Sequence, residues 1–153
     1  MPEHDSKTWK AYDQNPVTHS AAHYLLTIQS LIDEHGYART TDIARELDIT
    51  AGSCSQALRS LKQKGFLVED NNKFFRLSPE GEKMVTTLRT NSRVLATFFT
   101  DVLGLPTKRA EVDACKIEHL VHQSTVSQMR KLTEFIKAHP ECIEQFQEGK
   151  KGA

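Results

Sequence analysis

The chain has 153 residues, 38% hydrophobic and 26% charged, the balance of an ordinary globular protein with one domain or two small ones. Twenty basic residues cancel twenty acidic ones, so net charge gives no argument for a polyanionic partner. No apolar run approaches the ~18 residues of a membrane span, and the polar stretch 1–14 lacks the apolar core of a secretory signal. The three cysteines are odd in number and widely spaced, which suits neither a disulfide framework nor a zinc ribbon. A cytoplasmic protein with no membrane partner is expected.

Residues 1–19 show no helical period and read as a flexible arm. Ser20 is the expected N-cap of a first helix, in which Tyr24, Leu25, Ile28, Leu31 and Ile32 recur at helical spacing until Gly36. A short second helix over 41–47 turns Ile43, Ala44 and Leu47 inward. The connection Asp48-Ile49-Thr50 leads to a third helix over 51–64, stopped by Gly65. On this third helix Cys54, Ala57, Leu58 and Leu61 form an apolar stripe, leaving Ser53, Ser55, Gln56, Arg59, Ser60 and Gln63 outside. No Asp or Glu occurs from 49 to 68, so the outward face is polar and free of acids, which suits base edges and phosphates.

Two short β-rich runs, Phe66-Leu67-Val68-Glu69 and Lys73-Phe74-Phe75-Arg76-Leu77, flank an Asp-Asn-Asn turn and predict a hairpin. Helix, short turn, helix and hairpin is the order of a winged helix-turn-helix. A small α+β domain without a DNA partner has the same order; turn length, face polarity and wing together favour double-stranded DNA. Arg39, Thr40, Ser53, Ser55, Gln56 and Arg59, with Asn72 and Lys73 of the wing, are the candidate DNA-binding residues.

Ser78-Pro79-Glu80-Gly81-Glu82 predicts a helix start, and apolar positions from Val85 to Leu103 continue that helix for nearly seven turns, until Gly104-Leu105-Pro106. Helices over 108–122 and 124–138 follow, then a short segment to 147 and a tail over 148–153. The fold expected is mainly α: a winged helix-turn-helix over 20–78, then an all-helical domain over 79–147.

Cys115, Glu118, His119 and His122 are spaced to share one helix face, and thiolate, carboxylate and imidazole together suit a borderline divalent transition metal. His23 offers a further donor from another element. The residues alone leave a metal site and an ordinary surface cluster equally open.

The stretches His23-Tyr24-Leu25, Gly36-Tyr37-Ala38-Arg39-Thr40-Thr41-Asp42-Ile43-Ala44, Ser53-Cys54-Ser55-Gln56, Gly65-Phe66-Leu67 and Leu77-Ser78-Pro79-Glu80-Gly81 add up to a pattern. With Asp101-Val102-Leu103-Gly104-Leu105-Pro106 and Cys115-Lys116-Ile117-Glu118-His119, it resembles the diphtheria toxin repressor and manganese transport regulator family over about residues 20–137. That resemblance implies a metal-activated, homodimeric transcriptional repressor that binds operator DNA, with a helical metal-binding and dimerisation domain. It places the primary metal ligands on His23, Cys115, Glu118 and His119. His23 stands where relatives commonly have Met or Asp.

Other departures touch a second metal site. Ser92 stands where the family's long helix has a His, Ala96 replaces an acidic partner, Glu111 occupies another ligand position, and Leu26 replaces a first-helix Glu. The second site is therefore expected to be absent or rebuilt, with His122 as a possible compensating ligand. The SH3-like domain of longer iron-type members is expected to be missing, because the chain ends at Ala153. Cys115 in place of Glu argues against manganese(II) and toward iron(II) or zinc(II); family precedent for Cys favours Fe(II).

Leu120, Val121, Met129 and Leu132 are the candidate dimer contacts, on the ground that the helices after the wing carry more apolar surface than a short chain can bury alone. Because His23 belongs to the DNA-binding half and the other ligands to the helical half, a shared ion would couple metal to DNA binding. Rival readings are a redox regulator switching through Cys54 or Cys115, a winged helix used only for protein contacts, and a zinc hydrolase. The last lacks a His-Glu-x-x-His pair, so neither an enzyme nor a small organic substrate is expected.

Overall fold

The computed structural model describes residues 17–150, so most of the expected N-terminal arm and the end of the expected tail lie outside the described residues. The chain forms two compact units that divide between Leu88 and Arg89. The fold is mainly helical, with one two-stranded sheet among the described residues.

The first unit opens with α1 (His19–His35). The helix begins earlier than the expected cap at Ser20: the Thr18 hydroxyl accepts a hydrogen bond from the Ala21 N–H at 3.2 Å. Val17, just before the cap, is buried in a cluster with Ala22 and Leu88, the N′-to-N4 apolar pairing that fixes a helix entry. Gly36, at φ 80°, closes α1 by donating its N–H to the Ile32 carbonyl at 2.8 Å. The helices α2 (Thr40–Glu46) and α3 (Ala51–Gln63) follow, joined by a tight turn in which Asp48 takes φ 52°. Thr50 caps α3 through the Ser53 N–H at 3.2 Å.

Strands β1 (Leu67–Glu69) and β2 (Phe75–Leu77) pair antiparallel, with Leu67 opposite Leu77 and Glu69 opposite Phe75. The Asp70 carboxylate organises the wing tip by accepting from the Asn72 and Phe74 N–H groups at 2.8 and 2.9 Å. Phe75 also donates its N–H to the Ala38 carbonyl at 2.8 Å, tying the wing to the entry of α2.

Helix α4 (Pro79–Thr97) starts under Ser78, whose hydroxyl donates to the Gly65 carbonyl at 2.5 Å and accepts from the Gly81 N–H at 3.1 Å. Gly81 is required by a close backbone approach: a Cβ there would lie 2.2 Å from the Phe66 carbonyl oxygen. The core of this unit joins Leu25, Ile28, Ile43, Leu58 and Leu61 with Leu67, Phe75, Leu77 and Val85.

The second unit starts inside α4. The expected long helix runs on without a break, but its last turn, Phe98–Val102, winds as a π-helical segment. The Thr100 hydroxyl sits 3.1 Å from both the Ala96 and Thr97 carbonyls, and such competition from a hydroxyl loosens the α ladder. Helices α5 (Thr107–Ile117), α6 (Gln123–Ala138) and α7 (Pro140–Lys150) complete the unit. The expected helix over 108–122 ends early, at Ile117, and α7 replaces the short segment expected to 147.

Candidate metal centre and nucleic-acid interface

Helix α3 presents the expected faces. Cys54, Leu58 and Leu61 are buried, while Ser53, Ser55, Gln56, Arg59, Ser60 and Gln63 are all exposed and no acid interrupts them. The Ser53 hydroxyl accepts from the Thr50 hydroxyl at 2.9 Å, which holds it at the first turn of the helix and leaves its proton available. A concavity of about 180 Å3 beside α3 is lined by Thr40, Ser55, Arg59, Lys62, Glu69 and Phe75. Hydroxyls and cations around such a hollow suit a phosphate group. Within it Lys62 pairs with Glu69 at 2.6 Å, and the hydrogen bond from Lys62 holds the Glu69 carboxyl below the usual range.

Asn72 and Lys73 project from the wing tip, both exposed, with Lys73 in the left-handed region at φ 64°. Arg39, at the start of α2, packs against two neighbouring aromatic rings. Its guanidinium lies 4.8 Å from the Tyr37 ring centroid and 4.9 Å from that of Phe74, and the two rings are 5.4 Å apart. These two cation–π contacts restrain a long cationic side chain at the junction of helix and wing.

In the helical unit the expected single helix is interrupted before His122, which is extended and opens the next helix. Cys115 lies in the last turn of α5, Glu118 is its C-cap, and His119 belongs to the turn that follows. The Glu118 N–H donates to the Ala114 carbonyl at 2.8 Å, and the Leu120 and Val121 N–H groups fold back onto the Ile117 carbonyl. Glu118 is only 4% exposed, and the Nδ1 atom of His119 is buried. Burial, and then the charge of Glu118, push the Cys115 thiol above its ordinary pKa. A thiol, a nearly buried carboxylate and an imidazole within five residues form a donor set that a divalent cation would stabilise, since it favours the charged forms that burial penalises. The residues fit a metal ion.

Asn91 holds this turn in place. It is 2% exposed on α4, donates through Nδ2 to the Glu118 carbonyl at 2.8 Å, and accepts through Oδ1 from Gln123 Nε2 at 3.0 Å. His122 takes a different part from the one expected of it. It is exposed and caps α6, its Nδ1 accepting from the Ser124 N–H at 3.2 Å.

In the first unit His23 is half-buried on α1, with His19 one turn before it. Their rings stand edge to face, with centroids 4.5 Å apart.

Residues 17–73 match the model of the iron-dependent repressor N-terminal DNA-binding domain, and residues 78–147 that of the iron-dependent repressor metal-binding and dimerisation domain. The chain belongs to this family. It is 28% identical over 127 residues to the HTH-type transcriptional regulator MntR of Listeria welshimeri, covering 83% of this chain and 89% of that protein. It is also 28% identical over 109 residues to the diphtheria toxin repressor of Corynebacterium jeikeium, covering 71% of this chain and 45% of that one. Among solved structures, IdeR of T. acidophilum matches with a TM-score of 0.61 and 24% identity, over 75% of this chain and 53% of that chain. Membership makes the chain a metal-dependent transcriptional repressor with a DNA-binding and a dimerisation domain.

Three residues escaped the sequence reading. Asn91 had a visible signal, a polar residue between Leu88 and Leu95 on the buried face of α4, where an amide requires partners. His19 was hidden by the misplaced helix start, and Tyr37 by its position in a connection.

Proposed function

We propose that this repressor binds palindromic operator DNA as a homodimer when loaded with a divalent transition metal, and so controls metal homeostasis genes in the cytoplasm. His23, Cys115, Glu118 and His119 are the ligands proposed. The observation that carries the reading is the end of α5, where Cys115 in the last turn is followed by a nearly buried Glu118, whose carbonyl Asn91 holds, and then by His119. The family match and the imidazole of His23 support the fourth ligand. A bound ion supplies charge and fixed geometry; the chain's own residues choose it and read the DNA.

Thiolate and two imidazoles favour iron(II) or zinc(II) over manganese(II), and Fe(II) is proposed as the effector. Because the ligands come from both halves, the ion acts through its higher affinity for the DNA-competent arrangement, and operator DNA then tightens metal binding by the same factor. On the DNA side, Gln56 and Ser53 are proposed to meet base edges, with Arg39, Thr40, Ser55, Arg59, Asn72 and Lys73 on phosphates. The apolar side chains Leu120, Val121, Met129 and Leu132 are proposed for the dimer contact.

A thiol switch finds no support in Cys54 or Cys115. Cys54 is fully buried, with its Sγ 3.5 Å from the Thr40 carbonyl, and both its pKa and that of Cys115 are pushed up rather than down.

Anaerobic titration of iron(II), zinc(II) and manganese(II) into protein with and without a DNA library fragment tests the reading. Wild type gains DNA affinity on loading, and His23→Ala and Glu118→Gln lose that gain while keeping their fold. DNA binding that ignores metal would refute it.

A further inference from the structure

Helix α1 carries a second imidazole beside the one assigned above. Thr18 rather than Ser20 caps the helix, so His19 is its first residue and His23 lies one full turn further on. Residues four apart share a helix face. The rings meet edge to face at 4.5 Å between centroids, and a ring nitrogen of one lies within 4.8 Å of a ring nitrogen of the other. An ion bound at about 2.0–2.1 Å by each nitrogen needs them roughly 3.4 Å apart, which modest side-chain rotation achieves. His19 is exposed and His23 half-buried, so a hydrated cation reaches the pair without disturbing the core.

We propose that His19 and His23 form a His-x3-His chelate on α1 that binds imidazole-preferring divalent ions, zinc(II) and cobalt(II) among them. The proposal deepens the function above by adding a ligand that the family pattern does not place. It also has a consequence for selectivity: a second nitrogen donor on α1 raises affinity for zinc(II) far more than for manganese(II), which prefers oxygen. Helix packing does not require His19. Its side chain lies outside the buried face formed by Ala22, Tyr24, Leu25, Ile28 and Leu31.

The test uses the full chain and the metals alone. Zinc(II) affinity in wild type should fall by about tenfold or more in His19→Ala, manganese(II) affinity by less than about threefold, and the cobalt(II) visible spectrum should change in the same variant. A second background, Cys115→Ser with His119→Ala, separates the chelate from the wider site. There a weaker zinc(II) site should remain and vanish on adding His19→Ala. Unchanged zinc(II) affinity and an unchanged cobalt(II) spectrum in His19→Ala overturn the chelate and leave the proposed function standing. Loss in His19→Ala with none in Cys115→Ser or Glu118→Gln sustains the chelate and refutes the wider ligand set. Circular dichroism checks the fold of each variant, and His19→Gln, which keeps a polar side chain of similar length, should behave as His19→Ala does.

Discussion

The two units bury their apolar residues in different ways. The DNA-binding unit closes over large side chains, with Leu25, Ile28, Ile43 and Leu58 almost fully removed from water. The helical unit buries mostly small or slender ones, Ala110, Ala114, Val102 and Val126 beside the larger Leu95, and leaves Val112, Leu120, Leu132, Phe135 and Phe146 exposed. The first unit also exposes Tyr37, Ile49 and Val68, but the second exposes more and larger apolar side chains on a smaller buried core, a surface that suits burial against another chain. Stability of the one should depend on its interior, and behaviour of the other on concentration.

The largest expected effect follows from the first half of that contrast. Leu58→Ala empties a site that is 1% exposed and should cost about 2–5 kcal/mol, read by urea or thermal unfolding. A cost near zero would mean that this core is looser than its burial indicates. Next comes the exposed surface of the second unit. Leu132, 45% exposed, lies on α6 three residues before Phe135, 54% exposed. Leu132→Glu with Phe135→Glu should leave the helical content intact and weaken self-association by about 2 kcal/mol or more, seen by sedimentation across a concentration series. Equal sedimentation of variant and wild type would remove these residues from the interface.

A smaller effect belongs to the polar centre of the helical unit. Asn91→Ala leaves the Glu118 carbonyl and the Gln123 amide without their buried partner, at a cost of about 1–3 kcal/mol. Metal affinity should fall with it, because the turn that carries Glu118 and His119 loses its anchor. Loss of stability at unchanged metal affinity would confine Asn91 to packing.

The same contrast governs what could be read from sequence. The helix-turn-helix and wing were legible because period, cap and turn residues act locally: Gly36 and Gly65 end helices where expected, and Asp70 organises the hairpin. The π-helical segment and the early end of α5 were not legible. The first depends on how the Thr100 hydroxyl competes for carbonyls, and the second on an amide 27 residues away in the chain. Residues of the candidate metal set were legible as chemistry, but placing His122 on the same helix was an assumption of continuity that the turn after Glu118 breaks. His19 was lost because a cap two residues earlier shifts the start of α1.

The smallest effect is electrostatic and compares one ion pair in each unit. Glu69 binds Lys62 beside the proposed DNA face, where phosphates compete for the lysine; Asp101 binds Lys137 at 2.5 Å between the π-helical segment and α6, where nothing is proposed to compete. The hydrogen bond from Lys137, then that from Thr100, hold the Asp101 carboxyl below its ordinary pKa against the opposing pull of burial. A carboxyl depressed by folding stabilises the native state above its unfolded pKa of about 3.9, and the contribution disappears as pH falls through the lower folded value. The Asp101 side chain is 32% exposed and that of Lys137 55%, so solvent screening limits the pair to less than about 1 kcal/mol. Asp101→Asn should therefore lower the unfolding midpoint by a few degrees at pH 7, by less in high salt, and by progressively less as pH falls below about 3.9. A deficit that stays constant across the whole acid range would show that the side chain acts through shape rather than charge.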